Sequence, residues 1–149
     1  MIAKAVYKHG QVSVTGAQEK KHVSQMTKSE IKAINNKLHS MNISKTKMSG
    51  HLTDKLDSGE ITIYKRQMVR LLLDFELIEY NNTRGQSRVL LRGLSEEDTI
   101  VDGVVKKSNL CIVWNLDTNN IVTAYWNCTS DNHNTIDFRR YNANLKVNI

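Results

Sequence analysis

The stretch from Asn109 to Asn127, NLCIVWNLDTNNIVTAYWN, constrains this chain more than any other. Two apolar runs flank DTNN, a connector of turn-forming residues. Leu110 to Leu116 and Ile121 to Tyr125 are apolar on both faces, so they read as adjacent central strands with both sides covered. Strand alternation sends Thr123, Tyr125 and Asn127 to one face, and Val122, Ala124 and Trp126 to the other. A covered strand that ends on so many hydrogen-bonding and stacking groups has two explanations. Tyr125 and Trp126 are core aromatics with satisfied tips, or the strand end faces a site. Taken alone, the stretch favours packing.

Upstream the apolar spacing is helical. Ile31, Ile34, Leu38 and Met41 recur every three or four residues, with Thr27 or Ser29 as the cap. A shorter helix fits KMSGHLTDKLDSG, with Met48, Leu52 and Leu56 on its stripe and Gly59 as the stop. On it His51 and Lys55 are four apart and share one face. A third helix is expected from near Thr62 through YKRQMVRLLLDF. ELIEY then reads as a short strand, NNTRGQ as a turn-rich loop, and SRVLLRG as a strand with Arg88 and Arg92 at its ends. LSEEDTIVDGVVKK reads as an acidic loop holding at most a short strand from Ile100 to Val105. Before all of these, KAVYK and QVSVT flank His9 and Gly10 as an expected extra N-terminal β-hairpin. The expected class is α+β: N-terminal helices packed on a mainly antiparallel sheet.

Length, 149 residues, favours a single domain over 1–149 with a real core. No run approaches the roughly 20 apolar residues that span a bilayer. MIAKAVYKHGQ turns polar before a signal core forms, so the chain is expected to act in the compartment where it is made, the cytoplasm. Cys111 and Cys128 read as free thiols, since two cysteines make no disulfide framework. The formal charge of +6 is uneven: residues 1–55 carry ten Lys against Glu19, Glu30 and Asp54. Such asymmetry points to a polyanionic partner, nucleic acid before acidic lipid, with a solvated lysine-rich surface as the plain alternative.

Nucleotide-binding and hydrolase signatures are missing: there is no Walker loop, GxGxxG, HExxH or GxSxG. The histidines are scattered and no CxxC occurs, so neither a metal nor a cofactor is expected. SDNHNTID has cation-ligand residue types without the spacing of an EF-hand, and reads as a polar loop. What remains is a His and a Lys on a helix, two Arg on a strand, and Thr, Tyr and Asn at the end of another. Metal-free RNA cleavage needs such groups. A base takes the ribose 2′-OH proton, an acid protonates the leaving 5′-oxygen, and cations stabilise the phosphorane. Aromatic rings can stack the splayed bases.

The order SGHLTDKLDSGEIT, SRVLLRG, LCIVWNLDTNNIVTAYWN resembles the nuclease domains grouped as the barnase, EndoU, colicin and RelE-like fold. The likeness is to members found in phages and as C-terminal domains of bacterial polymorphic toxins, and it covers Met48 to Asn127. It implies an endoribonuclease whose helix histidine, His51, is general base or acid. Arg88, with Arg92 as the alternate, would bind the scissile phosphate. Thr123 and Tyr125 would position that phosphate or donate a proton, with Asn127 beside them as a substrate-binding residue. Lys55 stands where many relatives carry Arg, and a lysine lacks the bidentate fork. His133 and Thr135 lie beyond the matched core and would supply a second proton-transfer group. The implied partners are tRNA or mRNA and an immunity or antitoxin protein, with no membrane. On this reading 46–149 is a nuclease-like core and 1–45 a basic extension, serving as RNA-binding arm, docking surface or extra packing. The rival expectation is a phage protein of the same fold that binds RNA or a host protein and cleaves nothing.

Overall fold

A computed structural model describes residues 19–130 and 140–149. The expected hairpin around His9 and Gly10, and also His133 and Thr135, lie outside the described residues. Among the described residues three helices, α1 (Lys28–Ser40), α2 (Gly50–Asp57) and α3 (Lys65–Leu73), accompany a six-stranded sheet. Its strands are β1 (Lys20–His22), β2 (Lys47–Met48), β3 (Phe75–Thr83), β4 (Gln86–Val101), β5 (Val104–Asn115) and β6 (Asn120–Cys128). The spatial order is β1-β3-β4-β5-β6-β2. All neighbours are antiparallel except β2, which runs parallel to β6. The class is α+β, as the sequence predicts.

Helix α1 starts where Thr27 and Glu30 exchange side-chain and backbone hydrogen bonds, a complete capping box. Ile34 and Leu38 point into the core, and Met41 packs against it. Residues 20–45 therefore share the hydrophobic core of the remainder. Met48 departs from the expectation: it is exposed on β2, and Ser49 caps α2 one residue later. Helix α3 begins at Lys65, not near Thr62, because Gln67 reaches back to the Tyr64 N–H and fixes the first turn there.

Two expected loops are strands. NNTRGQ closes on Arg84 and Gly85 alone, both at positive φ, as the two-residue turn suited to strand twist requires. The acidic passage is the outer half of β4. Asp102 and Gly103 make a second turn of this kind, and across it Asp98 lies opposite Lys107, Thr99 opposite Lys106 and Ile100 opposite Val105. Asp98 pairs with Lys107 at 2.8 Å, and Glu97 is held by Arg66 and Arg70 of α3, which offsets part of the poor strand propensity of the acids. This hairpin runs beyond the ends of β3 and β6 as a two-stranded arm.

The core lies between the helices and one sheet face. Tyr80, Val89, Leu91, Ile112, Trp114 and Ile121 on the strands meet Ile34, Leu52 and Leu71 on the helices. No described helix is long and apolar enough to cross a membrane.

Candidate functional site

Because Val89, Leu91, Ile112 and Ala124 face the helices, their sequence neighbours face away. Arg88 and Arg92 on β4, and Thr123, Tyr125 and Asn127 on β6, therefore share the opposite face. Register confirms the rows: Arg92, Cys111 and Tyr125 are cross-strand partners in series, as are Leu90, Val113 and Thr123. Asn127 pairs with Asn109. The alternation predicted for β6 holds from Thr123 onward. Val122 is the extra residue of a β-bulge, since Val113 pairs with Thr123 but Trp114 pairs with Ile121.

The two arginines differ in state. Arg92 is 5% exposed, and its guanidinium donates to Asn109 Oδ1 at 2.9 Å and to the Thr129 carbonyl at 3.4 Å. Glu76 lies 4.0 Å away. Asn109 donates in turn to the carbonyls of Gly93 and Ser95, which lie in the bulge between Arg92 and Glu96 where the register with β5 is interrupted. Arg92 is thus consumed in tying down the root of the arm. Arg88 is the opposite case: its Nε is buried and has no hydrogen-bond partner. Such a donor costs about 1–3 kcal/mol unless something accepts from it. Thr123 is partly buried, and Tyr125 is 37% exposed with contacts of its own.

His51 sits in the first turn of α2, exposed, and α2 packs on the helix side through Leu52. No hydrogen bond joins His51 to Thr123. The connection runs through Ser49. Its N–H donates to the Ile121 carbonyl at 2.9 Å, and its Oγ donates to the Val122 carbonyl at 2.6 Å while accepting from Leu52 N–H. The start of the histidine helix is thereby fastened to the bulge that precedes Thr123. Lys55 follows one turn later, half-buried, with no ion pair among the described residues.

Sequence reasoning missed Asn109 and a cluster on the far side of the same face. Tyr141 donates to Glu79 Oε1 at 2.7 Å, and its ring meets His22 edge-on at 5.5 Å between centroids. Burial, and then the Glu79 charge, push the Tyr141 phenol well above its usual range. His22 is 4% exposed and accepts from the Ser24 N–H, so it caps a short turn and serves structure. Nothing local in the sequence announced these contacts, because they join residues about 60 or more positions apart or depend on the bulge. Among the described residues no group of His, Cys, Asp and Glu could hold a metal ion. Cys111 is buried and Cys128 half-buried, and no disulfide joins them. Comparison with protein-family models, curated proteins and solved structures gave no match to this chain.

Proposed function

We propose that this protein is an endoribonuclease that needs no metal and cleaves RNA by transesterification to a 2′,3′-cyclic phosphate. The observation that carries the reading is the Ser49–Val122 clamp, which ties the helix bearing His51 to the strand bearing Thr123 and Tyr125. In this reading one group takes the 2′-OH proton as the 2′-oxygen attacks phosphorus. The 5′-oxygen leaves with a proton from a second group. His51, on the helix side, and Tyr125 or Thr123, on the opposite face, would fill the two roles across the edge of β6 to which α2 is clamped. Arg88, a half-buried residue, meets the phosphate through the end of its guanidinium, its Nε being buried. Lys55 and Asn127 hold flanking nucleotide groups.

The biological setting that suits this chemistry is a toxin or phage effector acting on tRNA or mRNA in the bacterial cytoplasm, restrained by an immunity or antitoxin protein. The basic residues before position 55 supply salt-dependent phosphate affinity. The test is incubation with total RNA in EDTA, wild type beside His51→Ala, with end-group analysis. Discrete cuts bearing cyclic phosphate that vanish in the mutant support the proposal; cutting that survives His51→Ala sinks it.

A second reading has its own observation. Arg92 is spent on internal bonds, so the face offers fewer cations to a phosphorane than the sequence suggests. A non-catalytic protein that binds RNA would need no more than the remainder. It would express freely in bacteria without an inhibitor, whereas an active ribonuclease would not.

A further inference from the structure

On the helix side, a cleft of about 470 Å³ opens between the α2–α3 connection, Trp126 and the Asp98 to Ile100 stretch of the arm. That volume lies within the usual range for small-molecule sites, roughly 300–1,000 Å³. Two aromatic residues line it. Trp126 is held in place by donating its indole N–H to the Thr62 carbonyl at 3.0 Å. Tyr64, 57% exposed, has the Arg66 guanidinium 5.4 Å from its ring centroid. The polar groups are mostly acceptors. Glu60 forms no ion pair among the described residues, and Asp98 pairs with Lys107 at 2.8 Å. Gln67 spends its Oε1 on the Tyr64 N–H and keeps its amide donors.

Fixed aromatic surface, a carboxylate without a cation and an amide donor suit a planar, hydrogen-bonding ligand. We infer that this cleft binds an unpaired nucleobase carrying an exocyclic amino group, stacked on Tyr64 or Trp126 and donating to Glu60. An ionised carboxylate only accepts, so adenine, cytosine and guanine can donate to it. Uracil cannot do so as well: its one pairing-edge N–H is flanked by two carbonyls that repel the carboxylate. Arg66, which lies over the Tyr64 ring and 3.5 Å from Glu97, would meet the attached phosphate. The inference rests on the RNA reading above and extends it: Trp126 and Tyr125 are adjacent on β6 but face opposite sides of the sheet, so an RNA strand rounding the edge of β6 would place one base in the cleft and the neighbouring phosphate on the Tyr125 face.

The experiment is titration of the purified full chain with 5′-AMP, CMP, GMP and UMP, read by tryptophan fluorescence. Trp114 is only 1% exposed, so changes report on Trp126. Saturable quenching by the three amino-bearing nucleotides, with UMP at least about fivefold weaker, is expected. Glu60→Gln should abolish the discrimination against UMP, because an amide can also donate to a uracil carbonyl. Tyr64→Ala should weaken all four, and both substitutions are at exposed positions, so the fold is preserved. Equal affinity for all four in the wild type, or no quenching up to about 10 mM, overturns the inference. Because binding is read without cleavage, its failure separates from that of the nuclease. RNA cutting without nucleotide binding removes the cleft alone; nucleotide binding without cutting removes the ribonuclease alone.

Discussion

Ser49 Oγ lies 2.6 Å from the Val122 carbonyl oxygen, so a single hydroxyl caps α2 and pins it to the bulge of β6. Ser49→Ala removes both bonds. Loss of the cap alone should cost about 1 kcal/mol, seen as a lowered denaturation midpoint with an unchanged slope. RNA cleavage should fall by about ten- to a hundredfold in protein that remains folded, since misplacing a catalytic group by an ångström has that effect. Equal cleavage by folded Ser49→Ala would detach the clamp from the chemistry.

Arg88 separates function from stability. Its buried Nε has no partner, so Arg88→Met should leave stability unchanged or raise it by about 1 kcal/mol. RNA affinity should fall about tenfold, with a shallower salt dependence. A substantial loss of stability in Arg88→Met, measured by urea unfolding, would make Arg88 a structural residue.

Asn109 is expected to behave in the contrary way. Its Oδ1 accepts from Arg92 and from the Thr129 hydroxyl, while its Nδ2 serves the Gly93 and Ser95 carbonyls. Asn109→Leu strands a buried guanidinium and two carbonyls, and should destabilise by about 3 kcal/mol. Restoring polarity with Asn109→Asp, which keeps the acceptors for Arg92, should recover part of that loss. Unfolding curves of the two variants, side by side, decide the matter.

The pH limits follow from two side chains. Burial and Glu79 hold the Tyr141 phenol above its unfolded value. Its contribution is therefore complete below about pH 10 and declines as pH rises beyond it. Tyr141→Phe should flatten stability above that pH while costing the hydrogen bond to Glu79. Glu30 works in the acid range. Burial alone would push its carboxyl up, but Lys21 at 2.9 Å and the Thr27 N–H hold it below its usual value. That stability is present above about pH 4.3 and disappears as pH falls through the lowered value. Glu30→Gln should reduce the acid sensitivity between those limits, as read from melting temperatures at stepped pH.

Much of this architecture was legible because it is local. The Thr27–Glu30 box, the Ile34 and Leu38 stripe and the DTNN connector each lie within a few residues of sequence. The acidic half of β4 was illegible for a matching reason. Its acids are met by groups distant in sequence, Asp98 by Lys107 of β5 and Glu97 by Arg66 and Arg70 of α3. Of the candidate site, the shared face of Arg88, Thr123 and Tyr125 follows from alternation once the strands are known. That Arg92 is locked and Arg88 unpartnered does not, because the bulge between Arg92 and Glu96 sets which guanidinium meets Asn109. Ser49 was passed over as a helix cap, and its second bond joins residues 73 positions apart.

Strand order also bears on assembly. From β3 to β6 every spatial neighbour is a sequence neighbour, so this meander can zip from its own tight turns. The strands at the two margins, β1 and β2, both come from the segment before Ser49, with α1 crossing between them. Among the described residues, β1 pairs only with β3 and β2 only with β6, so both await the meander. On a ribosome residues 20–48 emerge early and must wait, a lysine-rich thread beside an anionic particle, until β6 has been made. The segment made before the meander is placed after it.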